Sequence, residues 1–167
     1  MEAYRLRRAT MARLFLAACT AVPAIIAGPG YGQSLRPALQ FGTARLLEEA
    51  ALKCAAEKGY AAAVAVFDDA GRLVTYARAD GASTATGEVA LWKGRSAAEY
   101  RFSTRQTGKW NVPTAPNIAT APGGLPLLAA DGTAIGGVGV SGGPADADEA
   151  CAAAGIAAAR LGTVSLK

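Results

Sequence analysis

The chain has 167 residues, 51% of them apolar and 18% charged, with 20 glycines and a formal net charge of +4. That balance excludes a disordered chain and predicts one domain around one core. Histidine is absent and the only methionines are Met1 and Met11, which excludes a Ser-His-Asp triad, a Cys-His dyad and every His-rich zinc site.

Residues 1–13 are basic, with Arg5, Arg7, Arg8 and Arg13; an uncharged apolar run from Leu14 to Ala27 follows, then Gly28-Pro29-Gly30-Tyr31-Gly32. This is the three-part layout of a secretory signal, so residues 1–32 are expected to be removed by cleavage between about 27 and 32. The apolar run is shorter than the roughly 20 residues a membrane span needs, and Pro23 interrupts it. A periplasmic or secreted protein with no membrane attachment after cleavage is the expectation. Two finer readings stay open: Leu16-Ala17-Ala18-Cys19 spells a lipobox that would lipidate Cys19, and Arg7-Arg8 fits a twin-arginine signal. Four arginines leave with the leader against only Glu2, so residues 33–167 are nearly neutral and basicity argues for no nucleic-acid partner.

In the mature region, Leu46, Leu47, Ala50, Ala51, Cys54 and Ala55 recur at helical spacing and predict a helix over 41–58, closed by Gly59. Residues 62–67 and 73–78 read as two strands around the turn Asp68-Asp69-Ala70-Gly71. Ser83 or Thr84 caps a second helix from about 86 to 100, with Glu88 in reach of a capping box. Residues 102–122 lose periodicity and form a long loop, the first place to look for a site. Strands 125–129 and 134–140 flank Asp131-Gly132, and an Ala-rich helix over 146–161 opens with Asp146, Asp148 and Glu149, where the helix dipole favours negative charge. The order α-β-β-α-β-β-α predicts an α+β fold, one antiparallel sheet of two hairpins flanked by helices.

Several residues stand out chemically, each with two readings. The run from Gly136 to Gly143 ends in Ser141-Gly142-Gly143, whose amides either cradle an anion or let a strand pack closely. Arg78 and Asp80 flank a turn and serve either a ligand carboxylate or the surface. Lys93, in an otherwise apolar helix, either meets a carboxylate or snorkels to solvent. Tyr100, Phe102 and Trp110 either stack on a planar ligand or fill core or an oligomer contact.

The ordered set Val64-Ala65-Val66-Phe67-Asp68-Asp69-Ala70-Gly71, Arg78-Ala79-Asp80-Gly81-Ala82, Ala90 with Lys93 and Ala97-Ala98, Phe102-Ser103-Thr104, Gly123-Gly124-Leu125-Pro126, Gly136 to Gly143, and Asp148-Glu149 resembles the GlcG-like, haem-degrading domain family. The resemblance covers about residues 39–161. It implies a profilin-like antiparallel sheet, assembly into homo-oligomers, and haem as ligand. It also implies that Thr104 presents a weak oxygen ligand to haem iron, with Gly123 and Gly124 nearby, against the plainer reading of Thr104 as a helix-terminus residue. The fold so implied puts the first and last helices on one side of the sheet, which together with export predicts a Cys54–Cys151 disulfide ahead of two buried thiols. Two departures are visible: the segment from Thr104 to Gly123 is shorter than in the haem-binding members, and Trp92 stands beside Lys93 where the family more often places a charged or small residue. The chain lacks the His and Met axial ligands that most often hold haem iron outside its leader. The function expected is binding of haem or another carboxylate-bearing small molecule at a subunit boundary near Thr104 and the Gly-rich turn. Oxidative haem degradation, or service as an accessory to an exported oxidoreductase, are the alternatives, and binding is placed ahead of catalysis because no histidine can act as acid or base.

Overall fold

Two aspartates fold the hairpins. In the computed structural model, which describes residues 35–112 and 114–164, Asp68 Oδ1 accepts hydrogen bonds from the N–H groups of Ala70 and Arg72, each at 2.9 Å, and Asp131 Oδ1 accepts one from Thr133 at 2.9 Å. Gly71 and Gly132 take the left-handed positions these turns require, at φ +71° and +82°. The turns join β1 (Ala63–Asp68) to β2 (Leu73–Arg78) and β3 (Gly124–Leu128) to β4 (Ala134–Ser141). The expected leader and Cys19 lie outside the described residues.

The strands form one antiparallel sheet in the order β2-β1-β4-β3. Three helices cover it: α1 (Phe41–Glu57), α2 (Thr84–Tyr100) and α4 (Ala145–Ala158), with a single turn, α3 (Thr104–Thr107), inside the segment expected to be all loop. On one face, Val64, Val66, Val138, Val140, Leu125 and Leu127 pack with Leu47 and Ala51 of α1 and Cys151 and Ile156 of α4. On the other, Ala63, Ala65 and Phe67 meet Ala90 and Ala98 of α2. The expected α+β fold is the observed one, with α1 and α4 on the same side and Cys54 bonded to Cys151, their Cα atoms 5.4 Å apart.

The Gly-Val alternation of β4 follows from these two layers. Its valines face α1 and α4; its glycines face α2, which lies directly on the strand backbone. A Cβ on Gly139 would stand 2.1 Å from the Ala90 carbonyl oxygen, and one on Gly137 would stand 2.3 Å from the Ala98 nitrogen. Close packing therefore accounts for Gly137 and Gly139.

Helix ends differ from expectation in two places. Ser83 caps α2 by accepting from Thr86 N–H at 3.1 Å, and Thr86 Oγ1 lies 3.0 Å from Ser83 Oγ. The reciprocal partner is thus Thr86, three residues past the cap, and Glu88 is too far along to fill that role. At the other end of the chain α4 stops at Ala158, because Arg160 turns left-handed (φ 56°) and Leu161 N–H returns to Ile156 O at 3.1 Å. Gly162 then pairs with Leu128 through two 2.8 Å hydrogen bonds and covers part of the β3 edge. No helix among the described residues is long and apolar enough to cross a membrane.

Candidate functional site

Lys93 sits on the side of α2 that faces the end of β4 and the start of α4. It is 3% exposed, and its Nζ donates to Val140 O at 3.0 Å and to Asp148 Oδ2 at 2.9 Å. Asp148, 5% exposed, uses its other oxygen to accept the Gly143 N–H at 2.9 Å. The Gly-rich turn does hold a carboxylate, and that carboxylate is the protein's own. Gly123 completes the enclosure: a Cβ there would lie 2.8 Å from Lys93 Nζ and 3.0 Å from Asp148 Cβ. Snorkelling to solvent is not the outcome for Lys93, because a buried carboxylate compensates its charge in place.

Thr104 lies beside this cluster in the interior. It is wholly buried, and its Oγ1 accepts the Gly124 N–H at 2.9 Å. The hydroxyl that the resemblance directs at an iron is directed at backbone in this conformation. Ser103 caps α3 by accepting from Gln106 N–H, which fixes the turn that carries Thr104 inward.

Arg105 points outward from the same turn, with its side chain 31% exposed. Its Nε donates to Glu149 Oε2 at 2.7 Å and its Nη2 to Asp146 Oδ1. The hydrogen bonds to Asp146, first, and to Glu149 hold its guanidinium above the usual arginine value. The other Glu149 oxygen, Oε1, is buried without a hydrogen-bond partner among the described residues.

Tyr100, Phe102 and Trp110 make a cluster at the C-terminal end of α2. Trp110 meets Phe102 and Tyr100 edge to face, with centroids 5.0 Å and 6.0 Å away. Phe102 is 39% exposed and Trp110 36%. Arg101 and Lys109, their chain neighbours, are exposed cations. The segment that follows is tied down to α2, since Tyr100 OH donates to Pro116 O at 2.5 Å, Asn117 donates to Glu99, and Ala119 N–H donates to Ser96 Oγ at 2.9 Å.

The structure therefore brings Lys93, Thr104, Gly123, Gly124 and Gly143 into one neighbourhood as a largely interior network around Asp148, while Gly142 is exposed and lies against Ala61 and Ala62. Ser141 is buried at the end of β4, in register with Ala63 and, through it, Arg78. Arg78 is exposed and donates to Ala82 O across the turn that carries exposed Asp80. This turn precedes α2, while the aromatic cluster begins at its last residue, Tyr100, so a helix about 25 Å long separates the two groups. The Arg105–Glu149 pair and the partnership of Asp148 with Lys93 escaped sequence reading. The signals were that Lys93 could meet a carboxylate and that Asp148 and Glu149 open a helix and belong to the ordered set of the resemblance, but nothing local joined one to the other.

The family model for the haem degrading protein HbpS-like family matches residues 39–157. Among solved structures, the chain is similar to a PduOC–haem complex at 27% identity and TM-score 0.72, over 77% of this chain and 100% of that one. It is similar to HbpS at 31% identity and TM-score 0.70, over 79% and 97% of the two chains. A double mutant of HbpS from Streptomyces reticuli matches at 31% identity and TM-score 0.70, over 80% and 95%. No curated protein matches the chain.

Proposed function

The chain belongs to the HbpS-like family of haem degrading proteins, and from that premise we propose that it is an exported protein that binds haem, or a related planar carboxylate-bearing molecule, at the Tyr100–Phe102–Trp110 cluster. The observation that carries this reading is the exposure of Phe102 and Trp110 in edge-to-face contact beside two cations. Half-exposed rings offer a stacking surface to a macrocycle, and the Arg101 and Lys109 side chains suit two propionates. The donor set agrees with binding by face and edge. The described residues contain no histidine and no methionine, their two cysteines are joined to each other, and the Thr104 oxygen is engaged by Gly124. Haem held there would supply a redox-active iron, and the chain would supply its position. Export is supported by the leader layout and by the disulfide, a bond that persists in oxidising compartments.

Haemin titration of the purified protein, followed by visible absorption, tests this. A saturable, shifted Soret band is expected, weakened several-fold by Trp110→Ala and by Phe102→Ala but not by Thr104→Val. No shift would end the haem reading, and a several-fold loss with Thr104→Val would return the iron to the threonine. The family description favours a second reading, oxidative degradation of bound haem. Slow loss of the Soret band when ascorbate and oxygen are added would support it.

A further inference from the structure

Two buried polar side chains in the layer between α1 and the sheet have an oxygen that nothing in the protein satisfies. Glu48 is 3% exposed and Thr75 6%, and neither Glu48 Oε2 nor Thr75 Oγ1 has a hydrogen-bond partner among the described residues. Glu48 belongs to the buried stripe of α1 with Ala44, Ala51 and Ala55, so its stem enters the space between helix and sheet. Thr75 stands opposite Val66 in the β1–β2 ladder and shares its face, the one that packs with Leu47 and Ala51. The two side chains are also at one level. The chain turns back into β1 just after Ala55, whose carbonyl accepts the Tyr60 N–H at 2.9 Å. From there Glu48 is about 10 Å back along α1, and Val66 is about 13 Å along the strand from Ala62.

A carboxylate taken out of water is strongly disfavoured without a counter-charge. No described cation supplies one. Arg45 and Lys53, the basic residues of α1, pair with Glu49 and Glu57 on its exposed side, and Glu48 takes part in no salt bridge among the described residues. The donors left over are oxygens, one from a carboxylate and one from a hydroxyl, and oxygen donors select hard cations. One carboxylate balances one positive charge. A divalent ion would need more acidic ligands, and no cluster of three or more His, Cys, Asp or Glu side chains suited to a metal ion occurs among the described residues. We propose that Glu48 and Thr75 form a binding site for a monovalent alkali cation, sodium or potassium, which neutralises Glu48 and ties α1 to the edge of the sheet. β2 is the outermost strand on that side, so the seam lies where an ion can enter from solvent and keep part of its water shell.

Thermal melts of the purified protein, with no haem added, in sodium, potassium and choline chloride at one ionic strength test the site. Equal ionic strength holds charge screening constant, and choline is too bulky for the seam. A midpoint higher by about 5 °C in the sodium or potassium salt than in choline chloride is expected for an ion present at about ten times its dissociation constant. Glu48→Gln should abolish that difference and melt in choline chloride at or above the parent, since no buried charge is left to compensate. Thr75→Val keeps the β-branched shape and should weaken the ion's affinity several-fold with unchanged circular dichroism. Sodium NMR reads binding directly: the parent should broaden the sodium line, excess potassium should reverse the broadening, and Glu48→Gln should lack it. Equal midpoints for the parent in all three salts would mean that water or a proton satisfies Glu48, and would overturn the proposal. So would a difference between salts that survives Glu48→Gln, or equal broadening by parent and variant.

Discussion

Replacing Lys93 with Met keeps the length of the side-chain stem and removes the charge. The stem still fills its place between α2 and β4, so the cavity contribution is small and the loss falls on pairing. Two hydrogen bonds disappear, at 3.0 Å to Val140 O and 2.9 Å to Asp148 Oδ2, and the Asp148 carboxylate stays 5% exposed with only the Gly143 N–H to compensate it. Breaking one side of a buried pair costs about 3–5 kcal/mol. Against a total stability of about 5–15 kcal/mol this is a large fraction, and at about 3–5 °C per kcal/mol for a domain of this size the melting midpoint falls by about 10–25 °C. Urea denaturation with an unchanged slope, alongside a thermal melt, measures both. Adding Asp148→Asn removes the stranded charge while keeping an acceptor for Gly143, so the double variant should recover a substantial part of the loss. The loss should be the same at low and high salt, because a buried pair is poorly screened. A cost below about 1 kcal/mol, the range of an exposed pair, or no recovery in the double variant would refute the reasoning.

Gly139→Ala should cost about 3 kcal/mol in urea denaturation, since the new methyl meets the Ala90 carbonyl at 2.1 Å and neither backbone can give. Gly42→Ala, with nothing within 4 Å and a helical position in α1, should gain up to about 1 kcal/mol. Replacing Cys54 and Cys151 by Ser should lower stability by about 4.7 kcal/mol, the loop-closure value for a separation of 97 residues, and reductant should have the same effect on the parent. The Asp131 carboxyl should titrate below the ordinary aspartate value in an NMR pH series, because it accepts the Thr133 N–H. The folded-state value being the lower one, its contribution is present above the unfolded-state value and fades as pH falls through the folded one. A titration at or above the ordinary value would count against that turn.

The hairpins were legible because Asp68-Asp69-Ala70-Gly71 and Asp131-Gly132 encode their turns locally. The Gly-Val alternation of β4 was visible too, but whether its glycines served close packing or an anion was settled only by α2 lying on them. α3 was not legible, since Thr104–Thr107 is four residues long and shows no period. Lys93 stood out as a cation within apolar residues, but its partner lies 55 positions away and no local pattern names it. For the same reason the inward turn of Thr104 could not be foreseen: it depends on Gly124, across the β3 edge of the domain. Aromatic residues were easier to place, since Tyr100, Phe102 and Trp110 are neighbours in the chain as well as in space.

The seam between β1 and β4 joins opposite halves of the chain, with Ala63 beside Ser141 and Asp68 beside Gly136. During synthesis the β1–β2 hairpin and α1 are complete long before their central neighbour exists. Until β4 emerges, one edge of β1 lacks its hydrogen-bonding partner, and Val64 and Val66 lack α4 above them. Contacts of such long sequence separation form slowly and leave apolar surface exposed in the interim. The nascent chain thus carries a sticky half-sheet until α4 closes over it, and its fate depends on whatever keeps that half-sheet from meeting another.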